Sequence, residues 1–369
     1  MVGPKAYIHL NRLIQNYRVI KKHLGDSPIM AVVKANGYGH GAVACAKALE
    51  EEGCRFFAVF TIDEALELRQ GGIQSDILIF SRMQNDFLAE AIDQNIILNM
   101  SGLDDFELLN EFYTQSGESP LFHLKIDTGM SRLGIPFEDA GKVLKTLSEN
   151  PHLKCEGIYS HYATADEGEL NYAEWQLEQF NLVLSLAKEM GIEFKYRHFS
   201  NSGSVLNLPN STFDIVRIGM ILYGAFPSDE VPMDIDIKPV MEFRGPIVET
   251  RRVKAGTKVS YGGIWESDKD TTIGVIQTGF ADGFPRPWYD GGYVIYKGKP
   301  YPIAGRVCMD QFMVDFGDGQ VAVGDEVLIF GENGNDSLHM EEIAQQIQTT
   351  PYVLATGIHG RTKRVYLNK

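Results

Sequence analysis

The sequence is poor in cysteine. Cys45, Cys54, Cys155 and Cys308 are the four among 369 residues, and they form no CxxC pair and no Cys/His spacing suited to zinc. That argues against a disulfide-built scaffold and leaves reduced thiols of a cytoplasmic protein as the expectation. No apolar run is long enough to cross a bilayer. The opening residues MVGPKAYIHLNRLIQNY lack the continuous apolar stretch of a secretory signal. Cations are in deficit: 34 Lys and Arg against 49 Asp and Glu give a formal charge of −15. Nucleic acid and anionic membranes would repel such a chain, while a small anion could still be held in a local basic pocket. Two further absences concern chemistry. No Gly-rich dinucleotide fingerprint follows the first strand pattern, which counts against an open doubly wound sheet. Only His40 lies near that position, so the histidine cluster of a metal-dependent barrel hydrolase is missing too.

What is present is a globular chain long enough for two domains, 44% hydrophobic and 22% charged. Short β-branched or apolar runs alternate with helical patterns at Ile29–Val33, Phe56–Phe60, Ile77–Phe80, Ile96–Asn99, Leu121–Ile126, Lys154–Tyr159, Glu193–Phe199 and Phe213–Val216. Eight such runs are the number a closed parallel barrel needs. Between them Leu103, Phe106, Leu109 and Tyr113 recur at helical spacing, as do Leu170, Ala173, Leu177, Phe180, Leu184 and Ala187. Asn11 is placed to cap a helix running to Leu24. The expected fold is α/β: a parallel, TIM-like (β/α)8 barrel over residues 1–232, then a mainly-β C-terminal domain over 233–369. The break is set at the turn-rich SDEVPMDIDIKP. Beyond it lie strand-like runs at Val248–Val253, Thr271–Thr278, Tyr293–Tyr296, Phe312–Phe316 and Glu326–Phe330, with one helix near Leu338–Gln348.

Parallel barrels carry their chemistry past the C-terminal ends of the strands. The residues there are Lys34, Asn36 and Gly37-Tyr38-Gly39-His40-Gly41; Asp127, with Lys125 before it and Arg132 after; Ser160-His161; Ser200-Asn201-Ser202-Gly203; and Arg217-Ile218-Gly219-Met220. Ser202, Gly203 and Gly219 suit a phosphate, because glycine lets backbone N–H groups approach an anion closely. Barrel closure would set Lys34 across the mouth from them. An amine facing a phosphate clamp points to pyridoxal 5′-phosphate, whose aldehyde takes the lysine as a Schiff base. Each element alone reads more plainly as scaffold: a solvated lysine, a helix cap, a structural histidine, salt-bridged arginines. Their shared rim is what favours a site.

In these places the sequence resembles the alanine racemase family, over essentially its whole length. The segments are AVVKANGYGHG, KIDTGMSRLG, IYSHYATAD, HFSNSG, VRIGMILYG, VSYGG, GFADGFPR and GRVCMDQFMVD, in the family's order. The resemblance implies a cytoplasmic homodimer with shared active sites that interconverts L- and D-alanine, supplying D-alanine for peptidoglycan. It implies that Lys34 and Tyr261 are the two acid/base residues, and that Arg132 and the backbone of Met309 hold the substrate carboxylate. Tyr38, Asn201, Ser202, Gly219, Met220 and Tyr352 would lie around the phosphate. Arg217 would face the pyridine nitrogen and His161 would support it, with Cys308 and Asp310 in supporting places beside Met309. Lys125 matches a lysine that many family members carbamylate. No metal and no nucleic-acid or membrane partner is implied. The alternatives are a racemase of broader range that also takes serine, a non-catalytic pyridoxal-phosphate carrier, and a decarboxylase of similar architecture.

Three departures stand out. Gly37 replaces a usual alanine and is expected to loosen the loop after Lys34. Phe280 replaces a usual tyrosine and removes a hydroxyl from the entrance. The tail TPYVLATGIHGRTKRVY matches only loosely, which weakens the case for Tyr352. Racemisation needs a proton taken from one face of Cα and returned to the other, so two bases on opposite faces suit it. A tyrosine, with its ordinary pKa of about 10, needs positive charge nearby; His161 and Arg217 are the expected sources. Arg217 stays protonated, so a ring nitrogen facing it would hold no proton of its own, and the ring would be a weaker electron sink than one facing an aspartate.

Overall fold

The computed structural model describes residues 3–208 and 211–367. Eight parallel strands run around the first sheet in the order 216–218, 29–32, 56–59, 76–79, 96–100, 121–127, 154–159 and 196–198, with a short extra strand at 135–136 beside 121–127. Val216 pairs with Ile29, so the last strand lies against the first. The remaining seam, between 196–198 and 216–218, has no ladder. It is closed by Arg217 N to Ser200 O at 3.2 Å, Asp214 N to Arg197 O at 3.0 Å, and an Arg197–Asp214 ion pair at 2.8 Å. This use of Asp214 moves the eighth strand to Val216–Ile218, later than the Phe213–Val216 of the sequence pattern.

Helices cover the outside of the barrel. Leu144, Leu147 and Val143 turn one face of 140–149 inward, and Phe180, Val183 and Ala187 do the same for 171–189. The helix at 62–70 starts where Thr61 accepts from Glu64 N while the Glu64 carboxylate accepts from Thr61 N, a capping box. The first helix spans Leu10–Leu24 and begins after His9 without a side-chain cap, so Asn11 does not cap it as expected. Asn16 is the asparagine that matters there. Fully buried, it donates to Leu222 O and Lys238 O and accepts from Lys238 N, fastening the helix to the chain's exit from the barrel.

The second sheet is mostly antiparallel, in the order 299–302, 293–296, 326–333, 241–253, 5–9 and 363–367. The long strand Met241–Val253 pairs with 326–333 up to Pro246 and with 271–276 from Ile247 on, and shifts register within the second ladder between Ile247 and Glu249. A clean division at residue 232 does not describe the pairing. Lys5–His9 belongs to the second sheet, antiparallel to Met241–Arg244 and parallel to Lys363–Leu367. Its alternation buries Ala6 and Ile8, which is why it pairs there instead of preceding the barrel as a free arm. No helix among the described residues is long and apolar enough to cross a membrane.

Candidate active site

The chain leaves the first barrel strand through an unusual turn. Ala35, Asn36, Gly37 and Tyr38 all have left-handed backbone angles, with φ of 52°, 54°, 61° and 50°. Each non-glycine residue held this way costs about 1–2 kcal/mol. Gly37 therefore lowers the strain of the turn. The turn is over-determined by its bonds. Gly37 N donates to Val33 O at 2.7 Å, Gly39 N to Ala35 O at 3.0 Å and Gly41 N to Asn36 O at 2.8 Å. The Glu64 carboxylate accepts from Ala35 N at 2.6 Å, and Asn36 Oδ1 accepts from Ala42 N at 2.9 Å. His40 Nδ1 faces Tyr38 O at 2.8 Å and so must donate; burial pushes its pKa down to about 4 and keeps it neutral.

The second sheet's tail braces this turn from behind. Arg364 Nε donates to Gly39 O at 2.6 Å, and a Cβ on Gly39 would sit 2.1 Å from Ala355 O. At the head of the turn, the Lys34 amine makes no hydrogen bond or ion pair among the described residues; it lies 5.9 Å over the Phe80 ring. Burial lowers its pKa, the charge of Arg132 lowers it further, Glu64 opposes, and Arg217 adds a smaller push down.

Inside the barrel, polar residues stand where aliphatic ones usually fill such a core. Arg217 is buried, and all its partners are neutral: His198 Nδ1 at 2.9 Å, Ser160 O at 2.7 Å, Phe199 O at 2.9 Å and His161 Nδ1 at 3.2 Å. A guanidinium can only donate. His198 therefore accepts at Nδ1 and donates from Nε2 to His123 Nδ1, 2.9 Å away. Burial brings the Arg217 pKa down to about 10, still a cation at neutral pH. Burial and the surrounding cations hold His161 well below the ordinary imidazole value. His161 is thus uncharged and cannot supply the positive charge expected of it; Arg217 remains. Tyr159 stacks flat on His198 at 4.6 Å and donates to Asn99 Oδ1 at 2.8 Å. Lys125 lies 5.5 Å over the same Tyr159 ring, and its pKa falls to about 7, chiefly through burial and next through Arg132 and Arg217.

Past the end of the adjacent strand, 216–218, is a cradle of backbone. Asn201 caps the helix 202–207, accepting from Ser204 N at 2.9 Å, so its side chain is spent on the cap. Ser202 Oγ accepts from Gly219 N at 3.1 Å, and Met220 opens the short turn that follows. A Cβ on Gly219 would lie 2.7 Å from the Tyr38 hydroxyl, and one on Gly203 would lie 2.9 Å from Asp166. The Tyr38 hydroxyl has no hydrogen-bond partner among the described residues, and its ring is 5.9 Å from that of Tyr352. Two side-chain-free positions beside an unpartnered hydroxyl, next to the strand that leads to an unpartnered amine, fit a phosphate-bearing aldehyde. Tyr352 joins this group despite the loose match of its segment.

Tyr261 and Met309 lie elsewhere. Ser260 Oγ donates to Arg306 O at 2.6 Å and lies 3.8 Å from Cys308 Sγ, which brings the Tyr261 turn and the Met309 loop onto one face of the second domain. Met309 O accepts from Ala281 N at 3.1 Å, Cys308 O accepts from Phe280 N at 3.2 Å, and Asp310 pairs with Arg361 at 2.7 Å. Gripped this way, the Met309 peptide has no acceptor for its N–H among the described residues. Tyr261 is 67% exposed and Met309 56% exposed. His198, His123, Tyr159 and Asn99 were missed by reading only the strand ends; inward polar positions within the strands were the signal.

The family descriptions "Alanine racemase, N-terminal domain" and "Alanine racemase, C-terminal domain" match residues 8–227 and 240–366. "Alanine racemase 2" of Caldanaerobacter subterraneus is 38% identical over 366 residues, covering 98% of this chain and 94% of that protein. Among solved structures, the alanine racemase of Clostridium difficile superposes with a TM-score of 0.93 at 34% identity, covering 100% of this chain and 96% of that one. The alanine racemase of Bartonella henselae, described with covalently bound pyridoxal phosphate, has a TM-score of 0.89 at 27% identity and covers 100% of both chains.

The brace on the lysine turn gives an ordered pair of stability changes. Gly39→Ala forces a Cβ onto Ala355 O in the left-handed region and is expected to cost more than about 2 kcal/mol. Gly37→Ala, whose Cβ would stand 3.2 Å from Ala42 backbone, should cost less. Urea unfolding of both variants measures this; equal losses would contradict the brace.

Proposed function

The chain belongs to the alanine racemase family and is an isomerase that interconverts the enantiomers of alanine, and we propose that it does so with pyridoxal 5′-phosphate held on Lys34, as a cytoplasmic homodimer with shared sites. The observation that carries this reading is the unpartnered Lys34 amine following the strand next to the one that leads into the cradle of Tyr38, Ser202 and Gly219. Met220 and Tyr352 complete the phosphate's surroundings. When bound, the cofactor supplies an electron sink that makes the Cα proton of an amino acid removable.

The protein's own groups do the rest. Lys34, its proton affinity lowered, takes and returns a proton on one face of Cα. Tyr261 of a second copy serves the other face; its exposure on its own chain supports that use. In the family's assignment, Lys34 acts on the D isomer and Tyr261 on the L isomer. Arg217, a fixed cation, would face the cofactor's ring nitrogen when the cofactor is bound and would lend positive charge to the phenol of Tyr261. Arg132 holds the substrate carboxylate, with the free N–H of Met309 from the second copy opposite it. D-alanine for cell-wall peptidoglycan is the use we assign to the product.

Lys125 completes the charge pattern. Lys34, Lys125, Arg132 and Arg217 crowd one mouth, and a carbamate on Lys125 would convert one of the cations into an anion. At a pKa of about 7, half of the amine is neutral and nucleophilic at neutral pH. Labelled bicarbonate should therefore give a carbamate signal by carbon NMR above pH 7. The signal should fade as pH falls through 7 and be absent in Lys125→Ala; a pH-independent signal would contradict the assignment.

The function itself is tested by deuterium exchange at Cα in the purified holoenzyme, with each enantiomer of alanine and then of serine. Exchange with inversion for alanine, abolished in Lys34→Ala, is expected; exchange without inversion would overturn the two-base reading. Mixed Lys34→Ala and Tyr261→Ala chains should regain part of the activity, since one heterodimer site keeps both bases. No recovery, despite demonstrated subunit exchange, would argue for separate sites.

A further inference from the structure

Arg132 sits exposed on the loop that follows strand 121–127, with no carboxylate partner among the described residues. Its loop is conformationally demanding. Gly129, Ser131 and Gly134 have φ of 127°, 55° and 129°, and Ser131 is not a glycine. Three anchors hold the loop from the barrel side. Asp127 Oδ1 accepts from Gly129 N at 2.9 Å and from Ser131 N at 3.1 Å. The buried Thr128 hydroxyl meets Ser160 Oγ at 2.8 Å. Gly134 lets the chain press on the strand, where a Cβ would be 2.7 Å from Asp127 N.

A fourth anchor comes from outside the barrel. In the first turns of the helix 171–189, the Tyr172 hydroxyl donates to Gly129 O at 2.7 Å. The Tyr172 ring stacks on Trp175 at 5.4 Å and 18°, and Trp175 meets Phe137, just beyond the loop, edge-on at 5.8 Å. A Cβ at residue 129 would lie 2.4 Å from the Tyr172 hydroxyl and 3.0 Å from the Trp175 ring, so only glycine admits this contact. Tyr172 and Trp175 are 43% and 37% exposed, so ordinary core packing does not account for them. They span the loop, one touching its start and the other its end.

We propose that Tyr172, backed by Trp175, is a positioning residue for Arg132, fixing the loop so that the guanidinium stands ready for the substrate carboxylate. This rests on the assignment of Arg132 to that carboxylate. The anchor acts before substrate arrives: it removes loop conformations that would have to be given up on binding. Loss of the single hydroxyl bond should therefore weaken carboxylate recognition more than it slows proton transfer.

The test uses holoenzyme and propionate, alanine without its amine, as the probe. Tyr172→Phe should raise KM for both enantiomers and the propionate inhibition constant by about threefold to tenfold, the worth of one hydrogen bond, with a smaller change in kcat. Gly129→Ala should move both in the same direction. In an Arg132→Met background, Tyr172→Phe should add little further loss of kcat/KM, because the residue acts through the arginine. If Arg132→Met weakens propionate but Tyr172→Phe does not, or if the Tyr172→Phe loss persists in full without Arg132, the positioning role is overturned. If Arg132→Met itself leaves propionate inhibition unaltered, the carboxylate assignment fails instead.

Discussion

A buried guanidinium with no carboxylate beside it among the described residues sets the terms for the rest of this site. Arg217 lies inside the barrel, and all four of its partners are neutral acceptors. Burying a charge this way costs energy unless every donor is satisfied and opposite charge is near. The acceptors are spread over strand ends at Ser160, His198 and Phe199, so the same side chain ties together the seam that lacks a ladder. Its permanent donor character also dictates the state of His198 and, through it, His123. On the proposed function the unbalanced charge would be offset by what the mouth receives: a phosphate in the cradle, a carboxylate at Arg132 and a carbamate at Lys125 would all be anions.

The strained turn at residues 35–38 belongs to the same arrangement. Left-handed backbone in four consecutive residues does not persist on local preference. It persists because Glu64, His40 and Asn36 satisfy its backbone from the barrel side and Arg364 does so from the other domain. The gain is a lysine whose amine is presented without a partner. An extended loop would leave that side chain free to find a carboxylate such as Glu64, which here is occupied by Ala35 N.

Much of this was readable beforehand, and the reasons are physical. The barrel strands were legible because apolar runs of strand length, separated by helical periods, permit few arrangements. Lys34, Ser202 and Gly219 were legible because they follow strand ends, and Arg217 because the sequence pattern ended its strand at Val216. The N-terminal strand was not: Lys5–His9 is short, and its partners at 241–244 and 363–367 are remote in sequence. Asn11 read as a cap because capping is judged locally, whereas Asn16 works through Leu222 and Lys238. The left-handed turn left no trace beyond its glycines, since Ala35 and Tyr38 have no preference for that conformation. The charge state of His161 depends on Arg217 and on burial, which only the folded barrel supplies. Tyr172 was hidden in a helical pattern where only the apolar positions had been read.

One segment reaches in two directions. Arg364 holds the carbonyl after the lysine turn, and Arg361, three residues earlier, holds Asp310 beside Met309. Met309 itself is largely exposed on its own chain. In an assembly where each barrel borrows its neighbour's Met309, the tail becomes a strut between two mouths, and neither could shift its seat without tugging on the other.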